Sequence, residues 1–185
     1  KMFACEWAKV SPDLMCLSKG LTGGTLPLSV TLAREDIYQA FYAEHAAGKA
    51  FLHSHSFSGN ALGCAAALAT LDLFAQFDVM SSNRKLAQLM WEGTGELRAH
   101  PRVAEVRQQG MILAIELAQN ARTRAPYPAH ERRGLRAYRH ALERGVILRP
   151  LGDIIYFMPP YVITPKEVAL MCEVATEAID HATRG

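Results

Sequence analysis

Residues 60–77 place the tightest constraint on the fold. They form an alanine- and leucine-rich stretch with helical character that is apolar on most of its sides. A helix of that kind has no broad solvent face and must be buried on most sides. The residues before it offer little cover. Leu14-Met15-Cys16-Leu17 reads as a short buried strand, and residues 26–32 as a second strand carrying β-branched Val30 and Thr31. Residues 34–47 carry Ile37 and Phe41 at helical spacing and read as a helix or helical turn. Two strands and two helices cannot close a sheet, and they leave edges that must be covered. The first half is therefore expected to be a fragment of a larger layered structure. The apolar pattern already runs at Lys1-Met2-Phe3, which suggests a chain that starts inside a longer protein.

Composition changes after the long helix. Residues 78–83 are polar and read as a break, placing a domain boundary that divides the chain into 1–80 and 81–185. The second part reads as a compact α+β unit. It has an amphipathic helix over 84–99, strands over 103–107 and 111–117 around Gly110, and a helix over 132–144 ended by Gly145. Strands follow over 146–149 and 154–158, joined by Pro150-Leu151-Gly152-Asp153. Thr164-Pro165 then pairs an N-cap with a proline at the first helical position, opening a last helix to about residue 183.

Bulk properties exclude several classes. A net charge of +2, with arginines spread out, gives no basic patch for nucleic acid. No apolar run approaches the roughly 20 residues that span a bilayer. The four cysteines, Cys5, Cys16, Cys64 and Cys172, lie far apart with no CxxC spacing. They read as reduced, mostly buried thiols of a reducing compartment, so a cytoplasmic protein is expected.

Three places could carry chemistry. Ser18-Lys19-Gly20 puts a lysine directly after an apolar strand, at the entrance of a glycine-rich loop through Gly23-Gly24. Burial favours the neutral amine, which attacks carbonyls, and glycines allow close approach of a ligand. The alternative is a strand-end lysine pointing to water. His53-Ser54-His55-Ser56 projects two histidines to one side of an extended segment. Zinc would need a third ligand, for example Cys64, and no third ligand has the right spacing, so no metal is expected. Hydroxyls and amides ahead of a helix suit an anion, and an N-capping loop accounts for them equally well. Arg149 ends an apolar strand before Pro150 and Gly152. It can clamp a carboxylate through two parallel hydrogen bonds, or form a surface ion pair with Asp153 or Glu143.

Taken in order, four blocks resemble one family. They are Ser18-Lys19-Gly20-Leu21-Thr22-Gly23-Gly24-Thr25-Leu26-Pro27-Leu28, His53-Ser54-His55-Ser56-Phe57-Ser58-Gly59-Asn60, Leu148-Arg149-Pro150-Leu151-Gly152 and Ile155-Tyr156-Phe157-Met158-Pro159-Pro160-Tyr161. The chain is similar over nearly its whole length to the class III aminotransferases, which are pyridoxal-phosphate (PLP) enzymes of fold-type I. The resemblance implies an α/β fold, with residues 1–80 the C-terminal part of a large PLP-binding domain and 81–185 a small α+β domain. It implies that Lys19 is the Schiff-base lysine and carries the proton between substrate and cofactor. It places Ser56 on the cofactor phosphate of a neighbouring subunit, hence a homodimer with the active site at the subunit interface. Arg149 falls where the family binds a keto-acid carboxylate, with Gly20 and Tyr156 also at the substrate.

Within the class, the wording of the blocks most resembles that of the branch that aminates 8-amino-7-oxononanoate to 7,8-diaminononanoate in biotin synthesis. Most of that branch uses S-adenosylmethionine as amino donor and some members use lysine. Other ω-aminotransferases of the class, acting on ornithine, 4-aminobutyrate or a diamine, are the alternative. The family's aspartate on the pyridine nitrogen, its same-subunit phosphate loop and its aromatic donor-site residues would all lie upstream of Lys1. The 185-residue chain alone is therefore expected to turn over little or not at all, as an inactive truncated remnant would.

Overall fold

The computed structural model describes residues 1–184. The chain divides into two compact units, Lys1–Met80 and Ser81–Gly185.

The first unit opens with a single helical turn, α1 (Ala4–Ala8), followed by β1 (Leu14–Leu17) and β2 (Val30–Ala33). These two strands pair antiparallel, Leu14 with Ala33 and Leu17 with Val30, as an isolated ribbon. A short α2 (Glu35–Gln39) precedes the long α3 (Ala61–Gln76). Asn60 caps α3, its Oδ1 accepting from Leu62 N–H at 3.0 Å. Both the strand and the long helix are more exposed than their composition predicts. Leu14 is exposed, and only Gly63 and Ala67 of α3 are buried, while Leu62 and Leu68 remain 70% and 63% accessible. The physical reason is scale. Within this unit α3 is packed by the loop between β1 and β2, where a β-carbon on Gly63 would touch Leu28 at 3.4 Å, and the other faces meet nothing of equal size.

The second unit is a four-stranded antiparallel sheet backed by helices. Its elements are α4 (Val79–Gly93), whose first two residues precede the boundary, β3 (Val103–Gln109), β4 (Ile112–Leu117), α5 (Arg133–Glu143), β5 (Arg149–Leu151), β6 (Ile154–Phe157) and α6 (Pro165–Thr183). The strand order is β3-β4-β6-β5. Leu113, Ile115, Ile155 and Phe157 from the two central strands join Met90, Ala137, Ala175 and Ile179 from the helices in one buried core. Thr164 and Glu167 form a reciprocal cap at the start of α6, and the Thr164 N–H holds the Glu167 carboxyl below its ordinary range.

Several boundaries differ from the sequence reading: the strand expected over 26–32 pairs only over Val30–Ala33, the helix expected over 34–47 is only Glu35–Gln39, and the helix expected over 84–99 ends at Gly93. The polar residues 78–83 are not a loop: α4 starts at Val79, directly after Asp78 turns the chain at φ 43°. Asn83, Leu86 and Met90 form its buried face, while Ser82 and Arg84 stay exposed, so the polar run is a helix with one wet side and an inward-turned Asn83. The run 146–149 is not a strand before Arg149. Gly145 (φ 77°) ends α5, with Gly145 N–H on Leu142 O and Val146 N–H on Ala141 O, each 3.0 Å. That closure carries the chain to Leu148, which plugs the core at 1% exposure, and pairing begins only at Arg149. Pro150 is tolerated because β5 is an edge strand.

Cys172 on α6 shows how closely these helices pack. A β-carbon on Gly93 would stand 2.8 Å from its Sγ. Burial pushes the Cys172 thiol up to about 11. Folding thus favours the protonated thiol. The stability that this contributes is complete below the unfolded thiol's range and is lost as pH rises through the folded value of about 11. The cysteines are not mostly buried as the sequence suggested: only Cys172 is, because Cys5, Cys16 and Cys64 lie in the thinly packed first unit. At pH 8 a maleimide is expected to label the exposed Cys16 and Cys64 first and Cys172 last. Peptide mapping of a labelling time course checks the order, and early labelling of Cys172 would contradict this packing.

Candidate active site

In the first unit, β1 ends at Leu17 and delivers Lys19 into a 3₁₀ turn, Lys19–Thr22. Lys19 adopts φ 47°, a left-handed conformation that costs a non-glycine residue about 1–3 kcal/mol. Local bonds hold it there. Leu21 N–H donates to Ser18 O at 3.1 Å, and Ser18 Oγ donates to Leu28 O at 3.2 Å across the loop. Thr22, only 2% exposed, donates from Oγ1 to Leu26 O at 2.6 Å and accepts Thr25 Oγ1 on its carbonyl at 2.8 Å. Sequence reasoning gave Thr22 no role; the signal for it was a small hydroxyl residue among glycines, with no apolar partner to explain it. Gly23 (φ 60°) and Gly24 (φ 81°) complete the turn, and Gly23 lies against Thr70 of α3.

The Lys19 side chain is exposed and has no hydrogen-bond or ion-pair partner among the described residues. The burial invoked from sequence is not supplied by this unit. Gly20 has open space where a β-carbon would stand, so a ligand could approach its backbone. Ser56 lies in an exposed turn, 56–59, directly ahead of α3, and its hydroxyl is likewise unpartnered. No contact joins it to Lys19. Its neighbours are occupied locally: His55 Nδ1 accepts from Phe57 N–H at 3.2 Å, and the His53 ring packs on Phe51 at 5.5 Å.

In the second unit, Arg149 and Tyr156 are brought together. They pair directly across β5 and β6, and the Arg149 guanidinium lies 5.6 Å from the Tyr156 ring centroid. Both line a groove of about 530 Å³ with Leu148, Phe157 and Met171. The surface ion pair that competed for Arg149 does not form. Asp153 instead accepts a hydrogen bond from Gly134 N–H at 3.0 Å. Arg149 is left as a cation with an aromatic wall and no anion, an arrangement that can accept a carboxylate.

The aminotransferase class III family matches residues 1–179. The chain belongs to that family. This class III aminotransferase chain is 42% identical over 99% of its length to the adenosylmethionine-8-amino-7-oxononanoate aminotransferase of Anoxybacillus flavithermus. It is 40% identical over its full length to the protein of the same name from Helicobacter pylori. It covers 40% and 41% of those two proteins, so it spans about two fifths of the curated relatives it matches. Among solved structures, the aminotransferase of that name from Methanocaldococcus jannaschii superposes with a TM-score of 0.91, at 38% identity, over 97% of this chain and 42% of that one. An omega transaminase from Pseudomonas jessenii superposes at 0.92, with 30% identity over 99% of this chain and 40% of its own. The fold is accordingly the α/β fold-type I of the PLP-dependent class III aminotransferases.

Proposed function

We propose that the natural protein carrying this chain is a PLP-dependent aminotransferase that converts 8-amino-7-oxononanoate to 7,8-diaminononanoate in biotin synthesis, with S-adenosylmethionine as amino donor. The observation that carries this reading is identity of 42% along 99% of the chain to an enzyme named for that substrate. The omega transaminase matches the fold as well, so fold does not choose the substrate; its lower identity, 30%, favours the first reading. Residues 1–80 are read as part of a large PLP-binding domain and 81–185 as the small domain.

The residues present fit the cofactor. Lys19 is held in a strained, exposed position with no partner, and Gly20, Gly23 and Gly24 keep the surrounding loop free of β-carbons. When bound, PLP supplies an electron sink for the carbon that bears the substrate's amino group. Lys19 would hold the cofactor through Nζ, and its free amine would accept and return the proton of that carbon. Arg149 orients the keto acid by its carboxylate, with Tyr156 holding the guanidinium from one face. Ser56 would hold the cofactor phosphate of a second subunit in a homodimer. Exposed Phe51, Leu52, Phe57 and Leu62, at 67%, 94%, 73% and 70%, flank it as an apolar surface of the sort that subunits bury. The four free cysteines agree with a reducing compartment, the cytoplasm. No single helix among the described residues is long and apolar enough to cross a membrane.

Arg149→Ala in the natural protein is expected to raise KM for 8-amino-7-oxononanoate by about 10- to 100-fold, the loss of a charged hydrogen-bonded contact worth about 1.5–3 kcal/mol. The donor half-reaction should stay close to wild type. Arg149→Lys should not restore the KM, because an ammonium lacks the planar fork. Unchanged KM in the alanine variant, or a preference for ornithine or 4-aminobutyrate over 8-amino-7-oxononanoate in product assays, would overturn this reading.

A further inference from the structure

We infer that Gly134 and Asp153 are positioning residues for Arg149: the start of α5 grips the β5–β6 hairpin and thereby fixes where the guanidinium stands. The inference rests on the reading of Arg149 as the residue that binds the substrate carboxylate.

The hairpin is short and has few constraints of its own. Arg149, Pro150 and Leu151 pair with Tyr156, Ile155 and Ile154, leaving Gly152 and Asp153 as a two-residue loop. Gly152 takes φ 60°, as the first loop position of such a hairpin requires. β5 is three residues long and lies at the sheet edge, so one of its sides has no strand to hold it. Arg149 sits on this strand, and its side chain makes no hydrogen bond or ion pair to fix itself.

The grip comes from α5. Gly134, in the first turn, donates its backbone N–H to Asp153 Oδ1 at 3.0 Å. A carboxylate there also meets the positive end of the helix. The Asp153 carbonyl accepts Leu117 N–H at 2.9 Å, so one residue ties the loop to both α5 and β4. The approach is so close that position 134 must be glycine. A β-carbon there would fall 2.1 Å from Gly152 O and 3.2 Å from Pro150 Cβ. The nearer obstacle is backbone, so a side chain at 134 can be accommodated only by moving the hairpin tip away from the helix. That tip is three residues from Arg149, and its displacement tilts the Arg149–Tyr156 pair. Neither glycine nor aspartate touches the substrate in this account; both act through the arginine.

The test compares Gly134→Ala, Asp153→Ala, Asp153→Asn and Arg149→Ala in the natural protein. Three readouts are KM for 8-amino-7-oxononanoate, the rate of the amino-donor half-reaction, and hydrogen exchange at the Gly134 amide. Gly134→Ala and Asp153→Ala are expected to raise KM by about tenfold, below the 10²-fold that a 1 Å misplacement can cost. The donor half-reaction should hold, and the Gly134 amide should exchange faster in Asp153→Ala. Asp153→Asn keeps an acceptor oxygen and should restore both KM and exchange. If Gly134→Ala does not fold, the two Asp153 variants decide. Equal losses in both half-reactions, or no rescue by asparagine, would mean a merely structural role and overturn the inference. A normal KM in both Asp153→Ala and Gly134→Ala, with a raised KM in Arg149→Ala, would overturn this inference alone. A normal KM in Arg149→Ala would overturn the carboxylate reading itself and this inference with it.

Discussion

Lys19→Ala in the natural protein is expected to lower transamination by at least about 10²- to 10⁴-fold, the contribution of a positioned acid–base group. The loss of the covalent hold on the cofactor adds to that, and the visible absorption of amine-bound PLP should disappear with it. The fold should not suffer. The Lys19 side chain has no partner among the described residues, and the turn is held by Ser18, Thr22 and Thr25. Lys19→Arg should be no better than alanine, since a guanidinium stays protonated and does not bond a carbonyl carbon. Added small primary amines should recover part of the rate in Lys19→Ala by supplying a proton carrier. Near-normal turnover by Lys19→Ala would remove the residue from the reaction. A stopped-flow comparison of the two half-reactions provides the measurement.

The second large effect falls on stability. Arg133 is 8% exposed and sits at the first position of α5. Its Nε donates to Glu131 at 2.6 Å, and Nη1 donates to Ala182 O at 2.7 Å and Arg184 O at 3.0 Å. Its guanidinium also lies 4.8 Å from the Tyr127 ring centroid. One side chain therefore satisfies carbonyls at the end of α6 that the helix cannot satisfy itself. Arg133→Ala takes the donor from Glu131, itself 21% exposed, and from those carbonyls, and losing charged hydrogen bonds of a part-buried pair costs about 1.5–3 kcal/mol. Amide exchange in α5 and the last turns of α6 should accelerate by about 10- to 10²-fold, at about 1.4 kcal/mol per tenfold. Removing both charges, as Arg133→Met with Glu131→Leu, should recover part of the loss because no unpaired carboxylate remains. Unchanged protection in Arg133→Ala would show that the C-terminal helix is held by its apolar face alone.

Much of the second unit was legible in the sequence because its signals are local. Gly145 closes α5 and Thr164-Pro165 opens α6 where the cap rules put them. The Gly110 turn joins β3 and β4. Two of the misread boundaries share a cause: composition does not separate a polar helix face from a loop at residues 79–83, nor an apolar core plug from a strand at Leu148. In the first unit the pattern specified burial for β1 and α3 that the 80 residues of that unit do not provide. The site was legible by type but not by geometry. The family blocks pointed to Lys19 and Arg149, yet the left-handed backbone at Lys19 and the hydroxyl net around Thr22 depend on loop closure. The partner of Asp153 was hidden for the same reason. Its proximity in sequence suggested Arg149, while the fold gives it the amide of Gly134, 19 residues away.

The central claim is that Lys19 is the residue that bonds PLP. Borohydride reduction of the natural protein loaded with PLP, followed by proteolysis and peptide mass mapping, tests it most directly. The account predicts the reduced cofactor on the peptide that contains Lys19, and no such label when Lys19 is alanine. A label on another lysine, or none on a protein that retains PLP, would contradict it.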